Sequence, residues 1–254
     1  MSTVEAIYDY LKELAPLELQ MDFDNAGFLV GHHDAQVSRA IVALDITEAV
    51  ISEAVACDAQ LIVSHHPIIF HKLRRVTDDV ASAKVLRMVE NGLAAICMHT
   101  NLDIAEGGVN DVLLQTLGAT CEGPLDADGC GRVGYFDAPL PLSAFLLRCS
   151  ESLQTNGLRY VDAGKPVQRL AVMGGAGGDA LADAVAKGCD TYVTADVKYH
   201  QFLDALDYGI NLIDADHFCT ENPVIPVLRD RLSSRFPDVD FRVSQVHHAL
   251  FSFL

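Results

Sequence analysis

The sequence predicts an α/β fold made of two similar three-layer α/β/α units from an internal duplication, with a metal site in the cleft between them. Three observations lead there. First, from Arg39 onward short apolar runs alternate with segments of helical period. The strands are Ala40–Leu44, Leu61–Ser64 and Leu93–Met98, and the helices run from the N-cap Thr47 to about Cys57, from about Asp78 to Asn91 (closed by Gly92), and up to Gly118. Alternation of this kind gives a mostly parallel sheet covered on both faces. Second, the pattern returns after residue 132: a strand at Val133–Phe136, a helix from about Ser143 to Thr155 stopped by Asn156-Gly157, and strands near Leu158–Val161 and Val167–Met173. Helix, strand, helix and strand follow, then a helix from about Glu221 to Phe236 and the apolar tail Phe241–Leu254. Third, Arg39–Val63 aligns without a gap on Arg169–Val193 at an offset of 130, pairing Val42 with Val172 and Val63 with Val193. After a shorter connection Gly92–Cys97 meets Gly209–Asp214. The aperiodic, glycine- and acid-rich stretch Thr120–Arg132 reads as a loop joining units 1–125 and 126–254.

The N-terminus opens on a capping pattern, Ser2 followed by Glu5, with Ile7, Tyr8, Leu11 and Leu14 at helical spacing up to Pro16. That is an amphipathic helix rather than a secretory leader, and no apolar run is long enough to span a bilayer. Next, Asp22–Gly31 breaks periodicity with acidic and glycine residues and forms a shaped loop leading into a strand. The 254 residues carry 35 Asp plus Glu against 18 Lys plus Arg, a formal charge of −17 that repels phosphate backbones and anionic lipid. Nucleic acid and membrane are excluded as partners on that ground. Seven cysteines, odd in number and with no Cys-x-x-Cys pair, read as thiols of a reducing compartment, which places the chain in the cytoplasm.

Chemistry concentrates at three strand ends. Leu61–Ser64 runs into His65, His66 and Pro67, and Pro67 cannot donate to a ladder, so the histidine pair stands at the carboxyl edge of a strand, where open α/β sheets bind ligands. Leu93–Met98 is followed by His99, Thr100, Asn101, Leu102 and Asp103. Ile210–Asp214 leads to Asp216, His217 and Glu221, and the last two are four apart, on one side of a helical turn. Three imidazoles and two carboxylates suffice for two divalent ions if one carboxylate bridges them, and ions about 3.5 to 4 Å apart can share an acidified water. Mixed nitrogen and oxygen donors suit zinc, iron or manganese alike.

With these motifs the chain resembles the NIF-three-like family of dinuclear-metal proteins, catalogued as GTP cyclohydrolase I type 2. The matching stretches are Asp24-Asn25-Ala-Gly27, Ser64-His65-His66-Pro67, His99 to Asp103, the turn Gly174–Gly178, Asp196-x-Lys198-x-His200 and Asp214-x-x-His217-x-x-x-Glu221. The resemblance implies that His65, His66, Asp103, His217 and Glu221 bind two metals, with Glu221 the bridge, that the activity is hydrolytic opening of the guanine imidazole ring of GTP, and that six subunits form a ring. Two positions depart from the pattern. Asp216 stands where many relatives have glycine, and Ala195-Asp196 where many have Gly-Asp. Asp216 either adds an acceptor or crowds the site.

Other features have two readings each. His99 either bonds backbone or supports a ligand from behind. The glycine turn at Gly174 is a tight strand-to-helix turn or a phosphate seat at a helix N-terminus. Lys72, Arg74 and Arg75 form a solvated basic cluster or receive a substrate phosphate, with Lys72 and Arg75 the residues placed for it. His32-His33 and His247-His248 match no ligand spacing and are surface or packing residues. The alternative to a hydrolase is a non-catalytic metal-binding protein, serving metal storage or delivery, or a regulatory scaffold that binds a protein partner.

Overall fold

The computed structural model describes residues 1–80 and 82–252. In chain order its strands and α-helices are β1 (Ser2–Thr3), α1 (Val4–Leu14), β2 (Gly27–Val30), β3 (Gln36–Val37), β4 (Arg39–Ala43), α2 (Glu48–Ala56), β5 (Leu61–Ser64), α3 (Ala83–Glu90), β6 (Ala94–Cys97), α4 (Thr100–Ile104), α5 (Val109–Thr116), β7 (Thr120–Pro124), β8 (Arg132–Leu140), α6 (Leu142–Leu153), β9 (Arg159–Val161), β10 (Val167–Val172), α7 (Leu181–Ala186), β11 (Thr191–Thr194), α8 (Tyr199–Tyr208), β12 (Asn211–Asp214), α9 (His217–Glu221), α10 (Val224–Arg235) and β13 (Asp240–Val243). Two units result. The first takes Met1–Glu106 and Ile225–His248, and the second takes Gly107–Val224 and the residues from Ala249.

In the first unit the sheet order is β13-β4-β5-β6-β2, parallel except where β2 runs against β6. Every residue of β5 and β6 is buried, as their unbroken apolar runs require of a doubly covered sheet. Ile41, Ile62, Ala95 and Cys97 face a core closed by Val50, Ile51 and Ala54 of α2 and by Val85 and Met88 of α3. In the second unit the order is β7-β8-β10-β11-β12-β9, with β10, β11 and β12 parallel and the outer strands antiparallel. Alternate residues divide between two cores. Leu170, Val172, Val193 and Ile213 pack with Leu113, Phe145 and Cys149, while Ala171, Tyr192 and Leu212 pack with Leu181, Ala184 and Ala205. The second unit is therefore three layers, helix, sheet and helix.

The register follows the sequence repeat. Ala40 faces Leu61 and Val42 faces Val63 in the first sheet, and Leu170 faces Thr191 and Val172 faces Val193 in the second, each pair 130 residues on. Leu61 is opposite Ala94 where Thr191 is opposite Asn211, as the Gly92–Cys97 alignment requires.

The structure differs from expectation in four places. The unit boundary does not lie at Thr120–Arg132: that stretch begins as β7, which pairs antiparallel with β8 inside the second unit, and α10 and β13 return to the first. Backbone pairing there needs no side-chain periodicity. Thr3, not Ser2, caps α1 by accepting from the Ala6 N–H at 3.2 Å, while the Ser2 N–H and hydroxyl both donate to Asp238. The helix expected from Asp78 starts at Ala83, since Asp79 turns back to accept from Thr77 and Ser82 and breaks the run. The helix expected from about Glu221 to Phe236 is α10, which starts at Val224 just past Pro223, while Glu221 closes the separate α9. Ala81, within that expected 78–91 helix, and Phe253 and Leu254, within the expected tail, lie outside the described residues. Among the described residues no helix is long and apolar enough to cross a membrane.

Candidate metal centre

The first unit carries its donors at the ends of β5 and β6. The backbone N–H groups of His65 and His66 donate to the carbonyls of Ala43 and Leu44 at 3.3 and 2.9 Å, so both residues are fixed as extensions of the sheet. His65 is fully buried, and its Nδ1 lies 2.8 Å from the Met98 carbonyl. A carbonyl only accepts, so Nδ1 carries the proton and the lone pair sits on Nε2. His66 Nδ1 meets Asp45 Oδ1 at 2.8 Å and His99 Nδ1 meets Asp24 Oδ1 at 2.7 Å, which select the same tautomer. One ligand atom from each of His65, His66 and His99 lies within 4.8 Å of the other two. Asp103, one helical turn past His99 on α4, brings Oδ1 to 3.6 Å from His65 Nε2.

Asp24 is the anchor behind His99. Its Oδ2 accepts from the Thr100 N–H at 3.0 Å and hydroxyl at 2.5 Å. Burial pushes the Asp24 pKa up, but the hydrogen bonds from His99 and Thr100 together outweigh it and hold the carboxyl well below the usual range. Asp24 is thus a fixed anion.

The second unit carries its donors past β12. Asp216 caps α9 by accepting from the Cys219 N–H at 3.2 Å, and α9 sets His217 and Glu221 on one side, with Nε2 and Oε2 3.1 Å apart. Beyond β11, Asp196 accepts from His217 Nδ1 at 2.7 Å, again leaving the lone pair on Nε2. Glu221 is 4% exposed. A cavity of about 270 Å³ opens beside His217, lined among others by Arg159, Asp214, Asp216 and Phe251, with Arg159 paired to Asp214.

Donor chemistry fits a divalent metal. Each of the four imidazoles has Nδ1 held by an acceptor, the arrangement that presents Nε2 as a ligand. In two places such a nitrogen faces a carboxylate oxygen, His217 toward Glu221 at 3.1 Å and His65 toward Asp103 at 3.6 Å. A lone pair and an anion at that distance repel unless positive charge lies with them, which a bound cation or a proton supplies.

The sequence named His65, His66, Asp103, His217 and Glu221: His65 and His66 directly follow β5, Asp103 lies on α4 past β6, and His217 and Glu221 lie on α9 past β12. His99 does more than support: its ring joins the histidine group of the first unit. Asp45 was not singled out, although it is the first polar residue beyond the apolar run of β4 and so stands on the same sheet edge. The basic cluster lies on an exposed loop, where Arg75 pairs with Asp79 at 3.2 Å. The Thr77 and Ser82 hydroxyls, with Arg75, hold the Asp79 carboxyl down at about 2. The glycine turn is the tight turn: the N–H groups of Gly174, Gly175 and Gly177 donate to Asn110 Oδ1, Thr220 Oγ1 and Thr194 Oγ1 at 2.8 to 3.0 Å, so donors an anion would use are already taken by protein atoms.

Asp216 sits at φ +69° and ψ 135°, a region that favours glycine. Holding a non-glycine residue there costs about 1 to 3 kcal/mol, whereas exchanging an Asp N-cap for Gly costs a few tenths. Asp216→Gly should therefore stabilise the protein by about 1 kcal/mol, read as a higher urea midpoint at unchanged slope. A lower midpoint would show that the cap outweighs the strain.

The fold and these donors define a mixed α/β protein with histidine–carboxylate groups suited to metal. The chain belongs to the DUF34/NIF3 family: the model of Duf34/NIF3 (NGG1p interacting factor 3) matches residues 2–249. It is 32% identical to a Clostridium perfringens protein named GTP cyclohydrolase 1 type 2 homolog, over 98% of each chain. Among solved structures it superposes on a Bacillus cereus protein related to NIF3 with a TM-score of 0.90 at 23% identity, covering 100% of this chain and 99% of that one. On reduced HcgD from Methanocaldococcus jannaschii the TM-score is 0.85 at 28% identity, over 97% and 98%.

Proposed function

We propose that this chain holds two divalent ions, zinc, iron or manganese, through His65, His66, Asp103, His217 and Glu221, and works as a metal-dependent hydrolase that opens the guanine imidazole ring of GTP. The observation that carries the metal reading is the repeated pairing of each imidazole Nδ1 with an acceptor at 2.7 to 2.8 Å. The substrate rests on the names of the curated relatives. Bound ions of this kind supply Lewis acidity and a water of lowered pKa. The chain's own residues do the rest. Asp45, Asp24, Asp196 and the Met98 carbonyl hold the rings in the ligating tautomer, Asp103 and Glu221 balance cationic charge, and Lys72 and Arg75 receive substrate phosphate from an exposed loop.

Elemental analysis of protein purified without chelator should find close to two transition-metal ions per chain, and the loaded protein should convert GTP to the ring-opened formamide, with loss of the guanine absorbance and with formate released only where a second water cleaves that formamide. A metal content near zero after gentle purification would end the reading. We place the chain in the cytoplasm, since its seven cysteines stand as thiols and burial pushes Cys97 up to about 11 and Cys149 up to about 12, too high to react readily. As a homohexameric ring it should scatter light as six chains of 27.5 kDa.

A further inference from the structure

Two phenylalanine rings stand in solvent beside the histidine group of the first unit. Phe23 is 67% exposed and Phe70 39% exposed, and their centroids are 6.5 Å apart. Phe70 in turn sets its edge against the ring of His99, 6.0 Å away at 83°. Single exposed apolar residues are ordinary, but a contiguous pair next to a polar site asks for a ligand.

Neither ring is exposed because its loop is loose. The Met21 N–H donates to Thr100 Oγ1 at 2.9 Å, the Asp24 N–H closes a turn onto the Met21 carbonyl at 2.9 Å, and Asp24 itself is bound to His99 and Thr100. Asn25 Nδ2 donates to the Ile69 carbonyl at 2.6 Å and so ties the loop of Phe23 to the loop of Phe70. The same bonds that orient His99 therefore present both rings. Two residues past Phe70, and again at Arg74, exposed cations follow in a chain of net charge −17. An aromatic face with positive charge next to it is the combination that receives a flat ring joined to phosphate.

We propose that Phe23 and Phe70 form the stacking platform for the planar base of a nucleoside phosphate, whose phosphates Lys72, Arg74 and Arg75 receive. This rests on the proposed hydrolase reading for the chemistry next to it, and it names the residues that choose the substrate. Stacking recognises a π-face rather than a hydrogen-bonding edge, so the platform selects for a ring and tolerates different bases.

The chain contains no tryptophan, so Phe23→Trp places a single fluorophore on the platform while keeping an aromatic face. In the full-length, metal-assayed protein, GTP and ATP should quench its emission saturably, and inorganic triphosphate should not. Adding Phe70→Ala should raise the nucleotide concentration for half-quenching at least about tenfold, with metal content unchanged and the circular dichroism that of the parent. No quenching, equal quenching by inorganic triphosphate, or indifference to Phe70→Ala would each overturn the platform. The two readings fail separately: quenching without turnover keeps the platform and removes the hydrolase, and turnover with a silent tryptophan does the reverse.

Discussion

Glu221→Gln should lose at least one bound metal and about a hundredfold or more of any hydrolytic activity while the protein stays folded. Altering residues that only orient ligands costs about 10- to 100-fold, and a direct ligand should cost more. The substitution keeps size and one acceptor oxygen but removes the charge that offsets a dication. Metal linkage gives a second readout: the rise in Tm that added metal gives the parent should shrink or vanish in the variant. Two bound metals and undiminished turnover in Glu221→Gln would remove Glu221 from the site and, with it, the proposal that one carboxylate serves both ions.

How far the sequence could be read depends on what each feature rests on. The parallel strands were legible because a doubly buried strand must be apolar throughout, and the offset of 130 carried the pairing register from one sheet to the other. His65, His66, Asp103, His217 and Glu221 were legible because a strand's carboxyl edge and an i,i+4 spacing are local properties. The orienting carboxylates were not. Asp45 reaches His66 across 21 residues and Asp24 reaches His99 across 75, and no spacing rule links an acceptor on one loop to a ring on another. The β7–β8 hairpin was missed for a related reason: Thr120–Pro124 is mostly exposed, so its pairing leaves no hydrophobic period to find. Phe23 and Phe70 carry no sequence signal of their own, and it is their exposure, 67% and 39%, that sets them apart.

Gly175→Ala should damage the same site by crowding. A Cβ at Gly175 would lie 2.2 Å from Glu221 Oε1 and 3.1 Å from His217 Nε2, and the residue sits at φ +66°. Its backbone cannot retreat: the N–H donates to Thr220 Oγ1 at 3.0 Å, and the carbonyl accepts from the Ala195 N–H at 2.9 Å and the Thr194 hydroxyl at 3.2 Å. Glu221 must move instead, within a buried setting. Left-handed backbone costs an alanine about 1 to 2 kcal/mol and overpacking about 1 to 3 more, so a loss of about 2 to 5 kcal/mol is expected. Gly188→Ala separates the two effects, because Gly188 also has positive φ, +73°, but open space within 4 Å of its Cβ position. It should cost only the backbone share and leave metal content intact, while Gly175→Ala loses metal as Glu221→Gln does. Equal stability and full metal content in both glycine variants would mean that Glu221 can swing aside at no cost, and that the turn at Gly174–Gly178 does not fix the position of this carboxylate.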